Sequence, residues 1–587
     1  MLDRKLRFQM FWIACSWALL GGSLATRAAE GDSPEHVTTR LGNAIDNFSL
    51  DNCYGKPVSL SDFEQSPAVA IVFLGTECPL AKLYGPRLVE LQQQFGQRGL
   101  QIIGINSNSQ DSLTEVAAYV HRHAIEFPML KDVGNRVADA FGAQRTPEVF
   151  LLDSRRVVRY HGRIDDQYGV GYARERDVSP ELAMAVEALL EGKDIAVAET
   201  EAVGCHIGRV KHVEPTGNVT YTKDIAAIFN SRCVSCHRDG EIAPFTLTSY
   251  QDALGWEDTI LEVIADKRMP PWFADPAHGS FANDARLSQR ERELIETWVK
   301  NGMPEGNPSD LPPAPKFAEG WRIQQPHQVV KMRDKPFKVP AEGVVSYKHF
   351  EVDPGWDEDK YIVQTEARPD RRAVVHHILV YVIPPGADKR DPEQVLAGYA
   401  PGSLPLELTD GVAIHVAAGC KLLFEMHYTP NGTEQADLSY VGFRFTEKEN
   451  VTKLLHGRIA INQRFEIPPE QANHEVRATY ECKSDEDLLS MTPHMHLRGK
   501  AFRYEAIFPD GRREVLLNVP KYDFNWQLKY ILEQPLRLTR GTRIVCTAVY
   551  DNSQYNLANP DPSRPVRWGD QSFEEMMIGF MDTVPAD

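Results

Sequence analysis

The hydrophobic period of this 587-residue chain changes twice, and each change marks where one kind of fold gives way to another. In the first stretch short apolar runs alternate with helical stripes. Residues 68–75 (AVAIVFLG) and 101–106 (QIIGIN) have the length and β-branched content of buried strands. Leu88, Leu91 and Phe95 share one face of a helix after the first run, and Leu113, Val116 and Val120 mark a second helix. Residues 148–153 and 157–162 read as a hairpin. Residues 38–200 are therefore predicted to be an α/β domain. From 218 to 306 the period is helical. Ser288 to Glu291 is a capping box, Leu294, Ile295, Trp298 and Val299 share a face, and Gly302 stops the helix. The Pro-rich stretch PSDLPPAPKF closes that segment. From Gly320 onward the period falls to two, in runs such as VVHHILVYV, KLLFEMHY, VGFRF, RYEAIF and RIVCTAVY separated by turns such as PDG, NPDP and PNG. These predict one large β-sandwich or two smaller ones over residues 320–587.

The N-terminus places Arg4, Lys5 and Arg7 before an apolar run from Phe8 to Ala25, followed by small residues. Residues 1–29 thus read as a signal peptide, with cleavage after Ala25, Ala28 or Ala29, and the protein is expected to be exported to a periplasm or the extracellular space. Left uncleaved, the same run is nearly long enough to anchor the chain in a membrane. The formal net charge of −18 repels phosphate backbones and argues against nucleic acid as a partner.

Cys233-Val-Ser-Cys236-His237 is a Cys-x-x-Cys-His motif, expected by chance about 0.004 times from this chain's own 9 cysteines and 18 histidines. Two thiols one helical turn apart suit covalent attachment to the two vinyl groups of a haem, and His237 then offers an imidazole to the iron. The bland alternative is a disulfide or zinc site with a bystander histidine. A sixth ligand is expected to be a thioether or a second histidine. Met269, in Arg-Met-Pro-Pro-Trp, is the favoured candidate and Met303 its competitor. In this loop and in its final helix the segment resembles the c-type cytochromes.

Six residues of the β-region form a second constellation: His376, His377, His427, His494, His496 and Met576. Period two places His494 and His496 on one strand face, able to converge on one metal. Adjacent His376 and His377 point to opposite faces of a regular strand, so both can ligate only at a bulge or a strand end. His427, on a strand with Leu423 and Glu425, reads equally as a hydrogen-bonded core histidine, and His121-Arg-His123 reads as accidental. Imidazoles with a thioether suit copper, whereas zinc does not use methionine.

The pieces VVHHILVYV, LLFEMHYTPNG, MTPHMHLRGK and DQSFEEMM, in that order, resemble the copper type II, ascorbate-dependent monooxygenases, the family of peptidylglycine alpha-hydroxylating and dopamine beta-monooxygenase. The resemblance implies two jelly-roll-like sandwiches, at 320–455 and 456–587, each holding one copper, facing across a solvent cleft. It implies an electron-relay copper on His376, His377 and His427, and a dioxygen-activating copper on His494, His496 and Met576, with Met576 preferred to Met577. It implies hydroxylation of a C–H bond with dioxygen and an external reductant, either ascorbate-like or a redox protein. The position of the carboxylate-binding arginine of the peptide-hydroxylating enzymes is held here by Thr492, so the organic substrate, small molecule or peptide, is not named by the motif. The family's dense disulfides are missing, with Cys482–Cys546 the one plausible pair and Cys420 left free.

Cys78, in FLGTECPLAKLYGP, follows a strand run and begins a helix, where a thiol is expected to have a lowered pKa. Arg145-Thr146-Pro147-Glu148-Val149 precedes a later strand. Together these resemble the thioredoxin-like redoxins, the peroxiredoxin and thiol-disulfide oxidoreductase group, with Thr146-Pro147 as the cis-proline turn facing Cys78. The second cysteine of a Cys-x-x-Cys motif is replaced by Ala81, and Thr76 stands at the wrong offset for a peroxiredoxin motif. Disulfide cycling would need Cys53 or Cys205. The leading expectation is a copper monooxygenase fed by a tethered c-type haem, with two coppers and one haem as cofactors. The alternatives are a thiol peroxidase or thiol-disulfide oxidoreductase, and a non-catalytic electron-transfer or copper-binding protein.

Overall fold

A computed structural model describes residues 41–174, 178–210, 214–317, 320–341, 343, 345–387, 394–400, 402–408, 410–431 and 433–587. The signal-peptide reading therefore lies outside the described residues. Among the described residues no helix is long and apolar enough to cross a membrane.

The front domain is a five-stranded sheet in the order Met129–Lys131, Leu100–Asn106, Ala68–Phe73, Glu148–Asp153, Val158–Gly162. The first three strands run parallel, and the last two form the expected antiparallel hairpin. All six residues of the central strand are buried, because helices cover both faces. Helices Pro79–Phe95, Leu113–Arg122 and Glu181–Leu190 pack on one face. Helix Arg136–Phe141 packs on the other. Leu113 departs from its expected face: it begins its helix directly after the Ser112 cap and is 48 % exposed, while Val116, Tyr119 and Val120 carry the buried stripe. The domain also runs further than residue 200. Strand Cys205–His206 pairs with Arg145–Thr146, and Ile207 is buried in the front-domain core.

In the helical segment the Ser288 hydroxyl accepts from the Glu291 N–H, and helix Gln289–Lys300 ends before Gly302, whose φ of +78° a side chain would disfavour. Ile225, Phe229, Ile260, Ile295, Trp298 and Met303 form the core. The segment is not closed on itself, contrary to its reading as a separate domain. Trp272, Ala274 and Phe281 leave it and are buried in the core of the last sandwich. There Trp272 and Phe281 pack edge-on against Tyr530, at 4.9 and 5.5 Å between ring centroids.

The β-region is two sandwiches, the first ending with strand Lys453–Leu454 and the second beginning with His456–Ile461. In the first, Gln328–Lys331, Tyr440–Thr446, Lys360–Arg368, Val412–Val416 and Lys453–Leu454 form one sheet. Lys348–Val352, Lys421–Tyr428, Val375–Ile383 and Gln394–Tyr399 form the other. Ile362 and Phe443 of one sheet meet Ile378 and Phe424 of the other in a shared core. In the second, His456–Ile461, Ile578–Pro585, Glu486–His494 and Tyr530–Leu538 oppose His474–Glu481, Arg543–Tyr550, Gly499–Ile507 and Arg513–Val519. The pairing of Cys482 with Cys546 is not made, and both thiols are free and buried. Strand register gives the reason: Cys546 faces Ala478, which leaves Cys482 four residues further along, about 13 Å away and beyond disulfide reach. Cys420 is free and buried, as expected.

Candidate thiol and metal centres

Cys78 caps the N-terminus of helix Pro79–Phe95, with Pro79 at the first helical position. Its Sγ donates to the Thr146 carbonyl at 2.9 Å, and the Thr146-Pro147 bond is cis. Glu148 braces that turn, its Oε2 accepting from the N–H groups of Gln144 and Arg145, each at 2.7 Å. The strand Cys205–His206 brings Cys205 opposite Thr146 and into hydrogen-bond range of Cys78. Gly204 permits the approach, since a Cβ there would stand 1.9 Å from the Thr146 carbonyl oxygen. Of the two partners left open by the sequence, the structure brings Cys205 to Cys78. Cys53 lies elsewhere, its N–H bonded to Met129 O.

Burial works to raise the Cys78 pKa, but hydrogen bonds from the Cys205 thiol and from the backbone of Ala81 and Cys205 outweigh it and bring it down to about 6. The same contact with Cys78, then burial, pushes Cys205 well up, while the Arg145 guanidinium pulls it down. The pair is therefore polarised: Cys78 is the more acidic thiol, donating to Thr146 O while it is protonated, and Cys205 is the one that holds its proton more tightly.

At the Cys-x-x-Cys-His motif, the N–H groups of Cys236 and His237 both bond to Cys233 O, at 3.0 and 2.9 Å, so the three side chains sit on one tight turn. His237 Nδ1 donates to Phe245 O at 3.0 Å, which fixes the tautomer and leaves Nε2 as the ligand atom. Burial lowers the His237 pKa, keeping the ring neutral. These residues fit a covalently attached haem. Met303 is buried in the helical core, whereas Met269 lies half-buried on the loop after helix Glu257–Ala265.

In the first sandwich, His376, His377 and His427 place one ligand nitrogen each within 4.8 Å of one another. Strand register explains how neighbouring histidines share a site. His377 pairs directly with His427, and the register shifts between Val375 and His377, so His376 occupies the bulge that the sequence requires. His376 Nε2 and His427 Nδ1 are buried without a hydrogen-bond partner. In the second sandwich, strand Glu486–His494 ends at His494, and the rings of His494 and His496 stand 5.3 Å apart with Met495 buried in the core between them. His494 Nδ1 donates to Gln527 Oε1 at 2.8 Å and His496 Nδ1 to Glu574 O at 3.3 Å. Both Nε2 atoms are thereby freed, and that of His496 is buried without a partner. Met577 is fully buried in the hydrophobic core, whereas Met576 is half-buried outside it. Burial lowers all five imidazoles, His376 to about 4 and His496 to about 3, so each is the neutral form that binds metal. The three imidazoles of the first sandwich fit a metal ion, and the second place offers the two imidazoles of His494 and His496. His121 and His123 take no part: His123 is a buried core ring against Tyr119.

The open cleft between the two sets is replaced by aromatic rings. Phe524 stacks on His376 at 5.2 Å and meets His496 at 5.8 Å. Tyr347 lies 4.6 Å from His427, 5.3 Å from His377 and 6.3 Å from His496, its hydroxyl buried and unpartnered. Neither ring belongs to a motif that sequence reading could single out. Glu575 was legible only as part of DQSFEEMM. Its buried carboxylate accepts from the N–H groups of His496 and Arg498 at 2.9 and 2.6 Å and locks the His496 turn. Burial pushes it up to about 7, against the pull of Arg498.

Comparisons with known proteins fall on the thiol centre. Residues 41–161 match the model of the AhpC/TSA family. A thiol-disulfide oxidoreductase ResA of Halalkalibacterium halodurans is 28 % identical over 162 residues, covering 27 % of this chain and 89 % of the relative. A chloroplastic peroxiredoxin Q of Oryza sativa subsp. japonica is 29 % identical over 126 residues, covering 20 % of this chain and 57 % of the relative. A hypothetical protein of Sinorhizobium meliloti 1021 with a solved structure shares 34 % identity, over 29 % of this chain and 94 % of that one, at a TM-score of 0.27. The chain is multidomain, β-rich toward its C-terminus, and its front part is a thioredoxin-like redoxin domain of the AhpC/TSA type.

Proposed function

We propose that this chain is an exported oxidoreductase whose front domain carries out thiol–disulfide exchange at Cys78 and Cys205. The observation that carries the reading is Cys205, set opposite Thr146, within hydrogen-bond range of a Cys78 whose Sγ lies 2.9 Å from the Thr146 carbonyl. Likeness to thiol-disulfide oxidoreductases supports it. The Cys78 thiolate attacks a substrate disulfide, forming one S–S bond and releasing one substrate thiolate. Cys205 then attacks the Cys78 sulfur of that mixed disulfide and releases the second. With Cys78 bonded, the thiolate that raises Cys205 is gone and Arg145 remains, so Cys205 loses its proton more readily at the step that needs it. An external reductant returns the pair to the dithiol. The test is turnover of a small aromatic disulfide with trapped intermediates read by mass spectrometry. Absence of a Cys78–Cys205 disulfide in the wild type defeats the reading, and consumption of hydrogen peroxide in preference to disulfides would make the domain a thiol peroxidase.

A second activity of the same chain is favoured by the three imidazoles gathered within 4.8 Å in the first sandwich. We read these as holding one copper and His494, His496 and Met576 as holding another, in a copper-dependent monooxygenase acting on the C–H bond of an organic substrate. When bound, the two coppers supply the two electrons that, with two protons, convert dioxygen into one alcohol oxygen and one water. The protein holds neutral imidazoles in fixed tautomers, and Tyr347 and Phe524 keep water from the space between them. A haem on Cys233, Cys236 and His237, with Met269 or Met303 as sixth ligand, would serve as the tethered electron carrier. Dioxygen uptake that depends on copper and ascorbate, and is lost in His494→Ala, supports this activity; uptake unchanged in that variant defeats it.

A further inference from the structure

The strand that carries Cys205 is two residues long, and so is its partner. So short a pairing does not hold an arm in place by itself. Its anchor lies outside the redoxin domain, on helix Glu257–Ala265 of the helical segment. Glu262 Oε2 accepts from His206 Nε2 at 2.6 Å and from Arg145 Nη2 at 2.9 Å, and Oε1 accepts from Arg268. The residue after Cys205 and the residue before Thr146 thus share one carboxylate. Thr259 Oγ1 accepts from the His206 N–H at 3.2 Å, and Arg145 Nη1 donates to Gly204 O at 2.8 Å. Cys205 itself packs against the apolar cores of both the redoxin domain and the helical segment. Burial works against the Glu262 charge, but Arg145 and then His206 more than offset it and hold its pKa below the usual carboxylate value.

We propose that Glu262 is the positioning residue of the thiol centre, holding Cys205 over Cys78 so that the two-cysteine site is completed by the helical segment. The proposal rests on the reading of Cys78 and Cys205 as an exchanging pair. Glu262 touches neither sulfur. It acts through His206, which sets the arm, and through Arg145, the cation that favours a Cys205 thiolate. The Arg145–Glu262 contact is partly exposed, so the effect is one of placement more than of charge.

The experiment uses the full chain. Wild type, Glu262→Gln and His206→Gln are equilibrated with mixtures of reduced and oxidised dithiothreitol and quenched in acid, and the Cys78–Cys205 disulfide is quantified by mass spectrometry. Releasing the arm lowers the effective concentration of Cys205 at Cys78. Glu262→Gln is expected to lower the equilibrium constant for the disulfide on the order of tenfold, and His206→Gln by less. The pH profile of Cys78 alkylation is read in parallel. Its midpoint is expected to rise in Glu262→Gln, because the Cys205 hydrogen bond that stabilises the Cys78 thiolate is loosened, a change that a general loss of stability does not produce. Thermal melting checks folding, and His206→Gln serves if Glu262→Gln does not fold. Unchanged equilibrium and unchanged midpoint in the folded variants overturn the proposal. A wild type that forms no Cys78–Cys205 disulfide overturns the exchange reading, and the proposal with it.

Discussion

In the front domain Cys78 and Cys205 come from distant points of the chain and meet through a two-residue strand pair, one glycine and a carboxylate borrowed from the next segment. In the first sandwich His376, His377 and His427 lie on two long, directly paired strands, and register alone brings them together. The first centre depends on docking and the second on the ladder of a sheet buried at its core. Sites made by docking can be opened by changes far from the reacting atoms. Sites made by register change mainly when their own side chains are removed.

The largest expected effects treat the two centres as independent. His427→Ala should remove one copper per chain by metal analysis and leave disulfide exchange at the wild-type rate. Cys78→Ser should abolish exchange and leave copper content unchanged. If either change crosses to the other centre, the contrast between them fails. Gly204→Ala comes next. It drives a Cβ into the Thr146 carbonyl, and the clash should cost about 1–3 kcal/mol in thermal or denaturant unfolding while slowing closure of the Cys78–Cys205 disulfide. A pH series gives a subtler reading. Because the Cys78 pKa is lowered to about 6, the thiolate fraction and the alkylation rate should rise with pH through a midpoint near 6. In Cys205→Ala that midpoint should move upward, since a hydrogen bond to the charged form is lost. An unmoved midpoint would show that the helix terminus and backbone account for the shift. The smallest effect is expected for Met577→Leu, a volume-conserving core change costing less than about 1.5 kcal/mol with both coppers retained. Met576→Leu should instead weaken copper binding at His494 and His496, and greater copper loss in Met577→Leu than in Met576→Leu would reverse the assignment.

The difference between the centres also decides what could be read from the sequence. The α/β front and the capped helix Gln289–Lys300 follow from period and punctuation, and the structure has both. The need for a bulge at His376 was legible because two adjacent histidines cannot share a face of a regular strand. Cys205 stood in VGCHIG, a run too short to show any period, so it remained one of two candidates until the fold set it opposite Thr146. Glu262 occupies a helix position whose burial pattern looks ordinary; Arg268 is a local partner, and only the docking of the front domain adds His206 and Arg145. Tyr347 and Phe524 carry no metal-ligand chemistry and so left no motif, although they decide that aromatic rings, and not solvent, lie between the histidine sets. Leu113 misled because an apolar residue directly after an N-cap looks like the start of the buried stripe.

The Pro-rich stretch at 308–317 looks like a natural place to divide the chain into a front half and a β-rich half. Trp272 and Phe281 forbid the cut. They leave the helical segment upstream of that stretch and finish the core of the last sandwich beside Tyr530. Each large aromatic buries on the order of 150–250 Å², so severing the chain would strand two oily side chains on one fragment and open a hole in the other. The unit that can be transplanted intact is the sandwich together with its aromatic strap.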